Sequence, residues 1–321
     1  MRRIVLLLLI MSGCVCTAQA QREAQFSQYH MALGYYNPAT AGVSGNLDVV
    51  SLYRIQWMGW SNAPKTLYAT ANMPFRFMKK EHGVGVAFSK DDESGGYGST
   101  NIGLQYAYLK KIGKGTLRAG MQLGMLNMSM GSDHTVTPVD SAGNAAGDDP
   151  AIPTSKVTSK AFDAHVGIYY HTDKWYVGVA VTHVLEPVFE EEHAYSYMPR
   201  GYNFIGGYNI RMKNPLVELQ PSVLIQTNFN TTKADLVARA VYAKKYSAGL
   251  LWRINENRIV DAIAVMLGAT FGKIEGGYAY DIPLSAVGRG TMGSHELFLK
   301  YKLELNKPKT GKSKHKSVRI L

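Results

Sequence analysis

Apolar and polar residues alternate along most of the chain. In the segment 66–73, one face carries Leu67, Ala69, Ala71 and Met73, and the other carries Thr66, Tyr68, Thr70 and Asn72. The segments 98–109 and 115–125 show the same two-residue period. Because successive side chains of an extended chain point to opposite faces, the pattern predicts β-strands. Amphipathic segments of period 3.6 are not evident after the N-terminal region.

The alternation predicts fourteen strands. Many of them have about the 9–11 residues that a tilted strand needs to cross a bilayer. The even count is typical of single-chain bacterial barrels. The predicted strands lie near residues 47–57, 65–74, 83–90, 99–110, 115–127, 162–171, 175–183, 202–210, 217–227, 234–242, 246–253, 262–271, 274–281 and 294–303.

The connections between the predicted strands differ in length in a regular way. Those after even-numbered strands are short, at 111–114, 172–174, 243–245 and 272–273, with 75–82 and 211–216 somewhat longer. Those after odd-numbered strands are mostly longer, at 128–161, 184–201, 254–261 and 282–293. Outer-membrane barrels have short periplasmic turns and longer extracellular loops. We therefore predict an all-β protein, a transmembrane antiparallel β-barrel of about 14 strands with both termini in the periplasm.

Aromatic residues near the strand ends favour this interpretation over a soluble β protein. Tyr and Trp suit the membrane interface because each combines an apolar ring with a polar group. Ordinary packing of aromatic residues in a protein core is the alternative. The residues concerned are Tyr53, Trp57, Trp60, Tyr106, Tyr108, Tyr169, Tyr170, Trp175, Tyr176 and Trp252.

The N-terminal residues have the layout of a secretory signal peptide. Arg2 and Arg3 precede an apolar run, and the small residues Ala18 and Ala20 offer a cleavage site before Gln21. The alternative is lipoprotein processing, which would leave a lipid on Cys14. Both cysteines, at 14 and 16, fall within the predicted signal. Cleavage after Ala20 would therefore leave a mature chain without disulfides, thiol catalysis or cysteine-bound zinc.

The positive charge of the chain is concentrated at its ends. The formal net charge is +11, but two basic residues lie in the signal and six lie in the acid-free stretch 307–319 near the C-terminus. Without these eight residues, the chain has 27 basic and 24 acidic residues and is therefore nearly neutral. We predict four regions: a signal peptide at 1–20, an N-terminal segment in the periplasm or lumen at 21–46, the barrel at 47–303, and a flexible basic tail at 304–321. The tail could contact an anionic surface, dock an acidic partner or have no partner.

Candidate catalytic and metal-binding motifs are weak. His295-Glu296 lacks a second histidine at helical spacing and lies in a predicted strand, so a metalloprotease site is not expected. The acidic clusters 91–93 and 190–193 could bind calcium, but we favour a solvated acidic loop in both places. We predict no enzyme activity, no catalytic residue, no cofactor, no metal site and no nucleic-acid partner.

Several short motifs resemble the PorP/SprF proteins of the type IX secretion and gliding machinery of Bacteroidetes. They follow one another in a specific order over nearly the whole mature chain. They occupy residues 24–29, 36–42, 54–59, 63–66, 149–153, 162–164, 167–170, 176–181, 276–281 and 293–296, with His183. The resemblance implies a non-enzymatic outer-membrane component. In PorP-type members it implies an anchor for a periplasmic, peptidoglycan-binding, PorE-like partner. In SprF-type members it implies support for display of a surface adhesin.

We expect the working surface to lie at the periplasmic rim, formed by residues 21–46, the short turns and the tail. The predicted partners are outer-membrane lipid, the periplasmic secretion protein and, in the second role, the adhesin. A general porin or diffusion channel is the alternative function. The predicted interaction residues are Phe26, Tyr29, Tyr36, Asn37, Pro38, Lys307, Lys309, Lys312, Lys314 and Lys316.

Overall fold

The structure is a computed structural model of the full chain. It describes residues 23–93, 97–130, 157–191, 194–256, 258–285, 288 and 290–305. The predicted signal peptide and the five tail lysines at 307–316 lie outside the described residues, as does most of the connection 131–160.

The described chain consists mainly of β-strands. The strands are β1 (Leu47–Ile55), β2 (Lys65–Phe77), β3 (Lys80–Asp92), β4 (Tyr97–Ile112), β5 (Gly115–Met130), β6 (Val157–His171), β7 (Trp175–Thr182), β8 (Val188–Glu191), β9 (Ala194–Tyr197), β10 (Gly201–Tyr208), β11 (Ile210–Arg211), β12 (Val217–Thr227), β13 (Thr232–Tyr242), β14 (Tyr246–Asn255), β15 (Arg258–Phe271), β16 (Ile274–Pro283) and β17 (Ser294–Leu303). Two 3₁₀ turns, Tyr29–Met31 and Pro38–Thr40, flank the short helix α1 (Leu33–Tyr36). Within the described residues, no helix is both long enough and apolar enough to cross a membrane.

Fourteen of these strands close into an antiparallel barrel. Neighbours pair in chain order from β1 to β7, β10 joins β7 to β12, and pairing then continues in order to β17. The first and last strands complete the ring, with Leu47 opposite Leu303 and Ile55 opposite His295. Closure satisfies the backbone groups that a free sheet edge would expose to lipid. The predicted barrel and its strand count are confirmed.

The two ends of the barrel differ in their connections. We call the end with the connections 78–79, 113–114, 172–174, 209–216, 243–245 and 272–273 the turn end. The loop end has the connections 56–64, 93–96, 131–156, 183–200, 228–231, 256–257 and 284–293. The longest connections lie at the loop end, as predicted. Two predicted connections are mostly strand. In 254–261, β14 ends at Asn255 and β15 begins at Arg258, and in 75–82, β2 ends at Phe77 and β3 begins at Lys80.

Residues facing outward and residues facing the lumen alternate along the strands. On β4, Ile102 and Leu104 are 58% and 66% exposed, whereas Gln105 on the opposite face is 3% exposed. An apolar exterior and a polar interior are what a membrane barrel requires. Two residues assigned to the interfacial aromatics face inward instead: the rings of Tyr169 and Tyr176 stack 5.7 Å apart, and Tyr169 is buried.

A hairpin of β8 and β9 lies within the loop-end connection between β7 and β10. Phe189 of this hairpin and the following Met198 are buried against Leu126 and Met128 of β5. This apolar contact holds the connection against the inner wall near the loop end of the lumen.

Candidate functional site in the barrel lumen

The N-terminal segment runs through the lumen, and we call its described part, residues 23–46, the plug. Near the loop end, the Glu23 carboxylate accepts hydrogen bonds from Thr182 Oγ1 at 2.5 Å and Gln226 Nε2 at 3.3 Å. Near the turn end, Arg118 Nε donates to the Ala39 carbonyl at 2.7 Å. The plug therefore begins in the loop-end half and reaches β1 at the turn end.

The plug forms an apolar core together with the barrel wall. Phe26, Tyr29 and Tyr36 are fully buried. They pack in one cluster with wall residues that include Leu52 and Leu251. The Tyr36 hydroxyl accepts a hydrogen bond from the Phe26 backbone N–H at 3.2 Å, and burial raises the pKa of Tyr36 well above its usual value. The lumen is thus filled by packed side chains in the way that a protein core is filled.

A buried charged network holds the plug near the loop end. We call it the latch; its members are Ser27, Arg54, Asp235, Arg253, Asp281 and Glu296. Arg54 pairs with Asp281 at 2.8 Å and with Glu296 at 3.2 Å. Arg253 pairs with Asp235 at 2.9 Å and with Asp281 at 3.0 Å. Every member is at most 3% exposed, so these ion pairs are shielded from water.

The plug supplies hydrogen-bond donors to the latch. The backbone N–H groups of Ser27 and Gln28 donate to the Glu296 carboxylate at 2.8 and 2.7 Å. Ser27 Oγ donates to Asp281 at 2.6 Å. The wall provides three carboxylates against two guanidinium groups, so these donors stabilise the excess negative charge. Hydrogen bonds to charged groups contribute about 1.5–3 kcal/mol each, which makes the latch the strongest polar attachment described for the plug.

A second attachment lies where the plug turns at Asn37-Pro38. Asn37 Nδ2 donates to the carbonyls of Ile168 at 3.1 Å and Val179 at 3.2 Å, which belong to β6 and β7. Its Oδ1 accepts from the Ala39 backbone N–H at 2.9 Å and caps the turn Pro38–Thr40. The wall is built for this close approach: a β-carbon at Gly167 would overlap the Asn37 side chain, and one at Gly120 would overlap Ala39.

The structure brings together the five described residues that we predicted for interaction. Phe26, Tyr29, Tyr36, Asn37 and Pro38 all lie in the plug and are buried. We predicted that this segment lies either in the periplasm or in the lumen, and its described residues lie in the lumen. In this position the five residues hold the plug against the barrel wall, and they can contact a partner only after the plug leaves.

The latch residues on the wall were missed by sequence reasoning. Alternation could have indicated them, because it shows which residues of a strand face the lumen. Arg54 shares the inward face of β1 with Val50 and Leu52, and all three are buried. Two of the motifs considered for chemistry do not assemble among the described side chains, and the side chains of the cluster 190–193 lie outside the described residues. His295 Nδ1 lies 2.6 Å from the Tyr278 hydroxyl on the outer face, and Asp91 accepts from Thr66 instead of converging with Asp92, which pairs with Lys90.

Plug docking should weaken as the pH falls below about 6.5. Burial, followed by the charges of Arg239 and Lys300, lowers the pKa of the plug residue His30 well below its usual value of 6.5. A histidine with a lowered pKa in the docked state binds protons more readily when released, so acid favours release. The measurement is maleimide labelling of a cysteine placed at buried Ala32, since both native cysteines lie in the predicted signal.

The labelling rate is divided at each pH by the rate of the same cysteine in the unfolded protein, because the reactive thiolate becomes scarcer in acid. We expect this normalised rate to rise between about pH 7 and about pH 5.5 and His30→Gln to reduce that rise. The comparison is made at each pH between variants that share the Ala32→Cys change. An equal rise with and without His30 would contradict the assignment.

The fold and the lumen define the class of this protein: a transmembrane β-barrel filled by its own N-terminal segment. Over residues 18–301 the sequence matches the family described as type IX secretion system membrane protein PorP/SprF. The chain belongs to this family, which confirms the resemblance of its motifs. It is therefore a membrane component of type IX secretion, with the barrel architecture of the outer membrane.

Solved structures of two transport proteins and a porin are similar to the chain at low sequence identity. CymD, described as a monoaromatic hydrocarbon channel, is 12% identical, with 89% of this chain and 95% of that chain covered and a TM-score of 0.46. The P. putida toluene transporter TodX is 11% identical, with 84% and 93% covered and a TM-score of 0.44. A mutant Rh. blastica porin is 6% identical, with 80% and 99% covered and a TM-score of 0.36. A comparison with curated protein sequences gives no match.

Proposed function

We propose that this protein is an outer-membrane anchor of the type IX secretion machinery, with its turn end in the periplasm as the docking surface for a peptidoglycan-binding, PorE-like component. Family membership supports the role in secretion. Short turns on the periplasmic side are the rule for outer-membrane barrels and support the orientation. The filled lumen favours a structural part over an open diffusion channel.

The observation that carries the docking surface is the charge of the turn end. Exposed cations surround it, and we call them the basic rim: Lys79, Lys80, Lys110, Lys111, Lys114, Lys174, Arg211, Lys213, Lys244, Lys245, Lys273 and Lys302. Few exposed acids, among them Glu81, Asp173 and Glu304, oppose this charge. A surface of one sign steers an oppositely charged partner and fixes its orientation. An acidic face on the periplasmic component is the complementary feature.

A cavity at the same end offers a place for a partner segment. It has a volume of about 490 Å³ and lies between the plug and the turn end of the barrel. Gly42, Pro74, Arg76, Arg118 and Leu305 are among its lining residues. Leu305 belongs to the predicted basic tail 304–321, so the tail begins beside this cavity, and its charge has the same sign as that of the basic rim.

Reversing charge on the basic rim should abolish capture of the periplasmic partner. The test variant changes Lys79, Lys80, Lys110 and Lys111 to Glu in the full-length protein. Pull-down from detergent-solubilised envelope, followed by mass spectrometry, measures the peptidoglycan-binding secretion component. We expect capture to fall by about tenfold or more, which corresponds to at least about 1.4 kcal/mol.

The matched control reverses the same number of charges at the loop end. Lys65, Lys90, Lys160 and Arg258 are exposed there, and changing them to Glu should leave capture intact. Removal of residues 304–321 tests the tail separately. Equal loss in the two charge-reversed variants, or no secretion component bound by the unmodified protein, would overturn the anchor proposal.

A further inference from the structure

Three metal-ligating side chains meet on the lumenal wall near the loop end. Asp163 and His165 are two residues apart on β6 and therefore share its inner face. His183 directly follows β7, and the hydrogen bond from Val184 N to Ala164 O, at 2.8 Å, holds it beside them. The side chains of Asp163, His165 and His183 are only 1%, 7% and 8% exposed. None of these contacts belongs to the latch.

The ligand atoms of the three side chains converge. Asp163 Oδ2 lies 2.6 Å from His183 Nδ1 and 2.9 Å from His165 Nε2, and the three ligand atoms lie within 4.8 Å of one another. The other carboxylate oxygen, Oδ1, accepts from the Ala164 backbone N–H at 2.8 Å and fixes the orientation of the group. Ligands around a tetrahedral ion with bonds of about 2.1 Å stand about 3.4 Å apart, so small outward shifts make room for an ion.

The geometry points to a divalent transition-metal site of the two-histidine, one-carboxylate type, formed by Asp163, His165 and His183. Neutral imidazole and carboxylate ligands suit Zn²⁺ and similar ions better than Ca²⁺ or Mg²⁺, which prefer an all-oxygen shell. A cavity of about 30 Å³, lined by both histidines, Glu23 and Thr182, adjoins the cluster. That volume accommodates a water molecule as a further ligand.

The plug contributes a residue that orients one of the ligands. Glu23 Oε1 lies 3.5 Å from His183 Nε2, the ring nitrogen opposite the one that faces Asp163. A carboxylate on the second nitrogen of a ligating histidine fixes its tautomer and strengthens its bond to the metal. The same carboxylate accepts from Thr182 and Gln226 on the wall. Bound metal therefore stabilises the docked plug, because release of the plug removes Glu23 from the site.

The test is a Zn²⁺ titration of the full-length, tag-free protein after chelation, in detergent, by isothermal calorimetry. We expect one Zn²⁺ per barrel and a loss of affinity of about 100-fold or more in His165→Gln and His183→Gln. Glu23→Gln, which keeps all three ligands, should lose about 10- to 100-fold. His295→Gln is the matched control, since His295 contacts Tyr278 on the outer face, and its affinity should not change.

A spectroscopic measurement on the unmodified protein covers the case in which a variant fails to fold. X-ray absorption of the Zn²⁺-loaded protein should show nitrogen and oxygen ligands with the scattering pattern of two imidazoles. Absence of stoichiometric binding, unchanged affinity in folded histidine variants, or a spectrum without imidazole would each overturn the site. In that outcome the three side chains form a purely structural hydrogen-bonded group, and the anchor proposal is unaffected.

Discussion

Deleting residues 23–46 should convert a closed barrel into one with a large, stable conductance in a planar bilayer. The plug supplies Phe26, Tyr29 and Tyr36 to the core that fills the lumen. An unfilled barrel of this strand number encloses a channel wide enough for water and ions, as in larger porins. The deletion joins residue 22 to residue 47 and leaves all the wall strands intact. Heat-dependent mobility in gels serves to verify that the variant is folded.

A point substitution tests the same prediction without shortening the chain. Gly120→Val places a branched side chain where Ala39 lies and should displace the plug, giving intermittent conductance. Gly206→Val is the matched control, because a β-carbon at Gly206 makes only ordinary contacts, the nearest at 3.6 Å from Val223. Strong conductance of the full-length protein that deletion does not change would support the diffusion-channel alternative. A folded deletion variant that stays closed would show that another segment blocks the lumen.

Removing Glu296 should release the plug more effectively than any other single change to the latch. The Glu296→Ala substitution leaves Arg54 with one fewer carboxylate and removes the acceptor of the Ser27 and Gln28 N–H groups. Each buried N–H group that is left without an acceptor costs about 1–3 kcal/mol, so the two groups together cost about 2–6 kcal/mol. Labelling of a cysteine at Ala32 should therefore accelerate by roughly 100- to 1000-fold, since each 1.4 kcal/mol corresponds to a factor of ten.

The control for this experiment is an ion pair on the surface. Glu186 pairs with Arg200 at 3.2 Å with both side chains more than 40% exposed. Exposed pairs contribute about 0–1 kcal/mol, so Glu186→Ala should leave the labelling rate within a few-fold of the reference. Replacing Arg54 and Glu296 together measures their coupling in a double-mutant cycle. Similar labelling rates for the Glu296→Ala and Glu186→Ala proteins would mean that the latch does not hold the plug.

The strand boundaries show where the alternation of apolar and polar residues ceases to predict a strand. Within the lipid-facing belt, apolar residues occur at every second position, so the centre of each strand was predicted correctly. Beyond that belt the outer face meets water and the pattern ends while the strand continues. At 258–261 the residues are Arg, Ile, Val and Asp, which do not alternate, although β15 begins at Arg258.

The sequence by itself determined the barrel, its fourteen strands and its family, because these depend on local alternation and on short motifs. Only the tertiary structure decided that residues 23–46 fill the lumen and that charges hold them there. Ser27 and Asp281 are 254 positions apart, and Arg54 and Asp281 are 227 positions apart. Closure of β1 on β17 brings these groups together. Alternation shows which face a side chain occupies, but it does not show which distant side chain lies across the lumen.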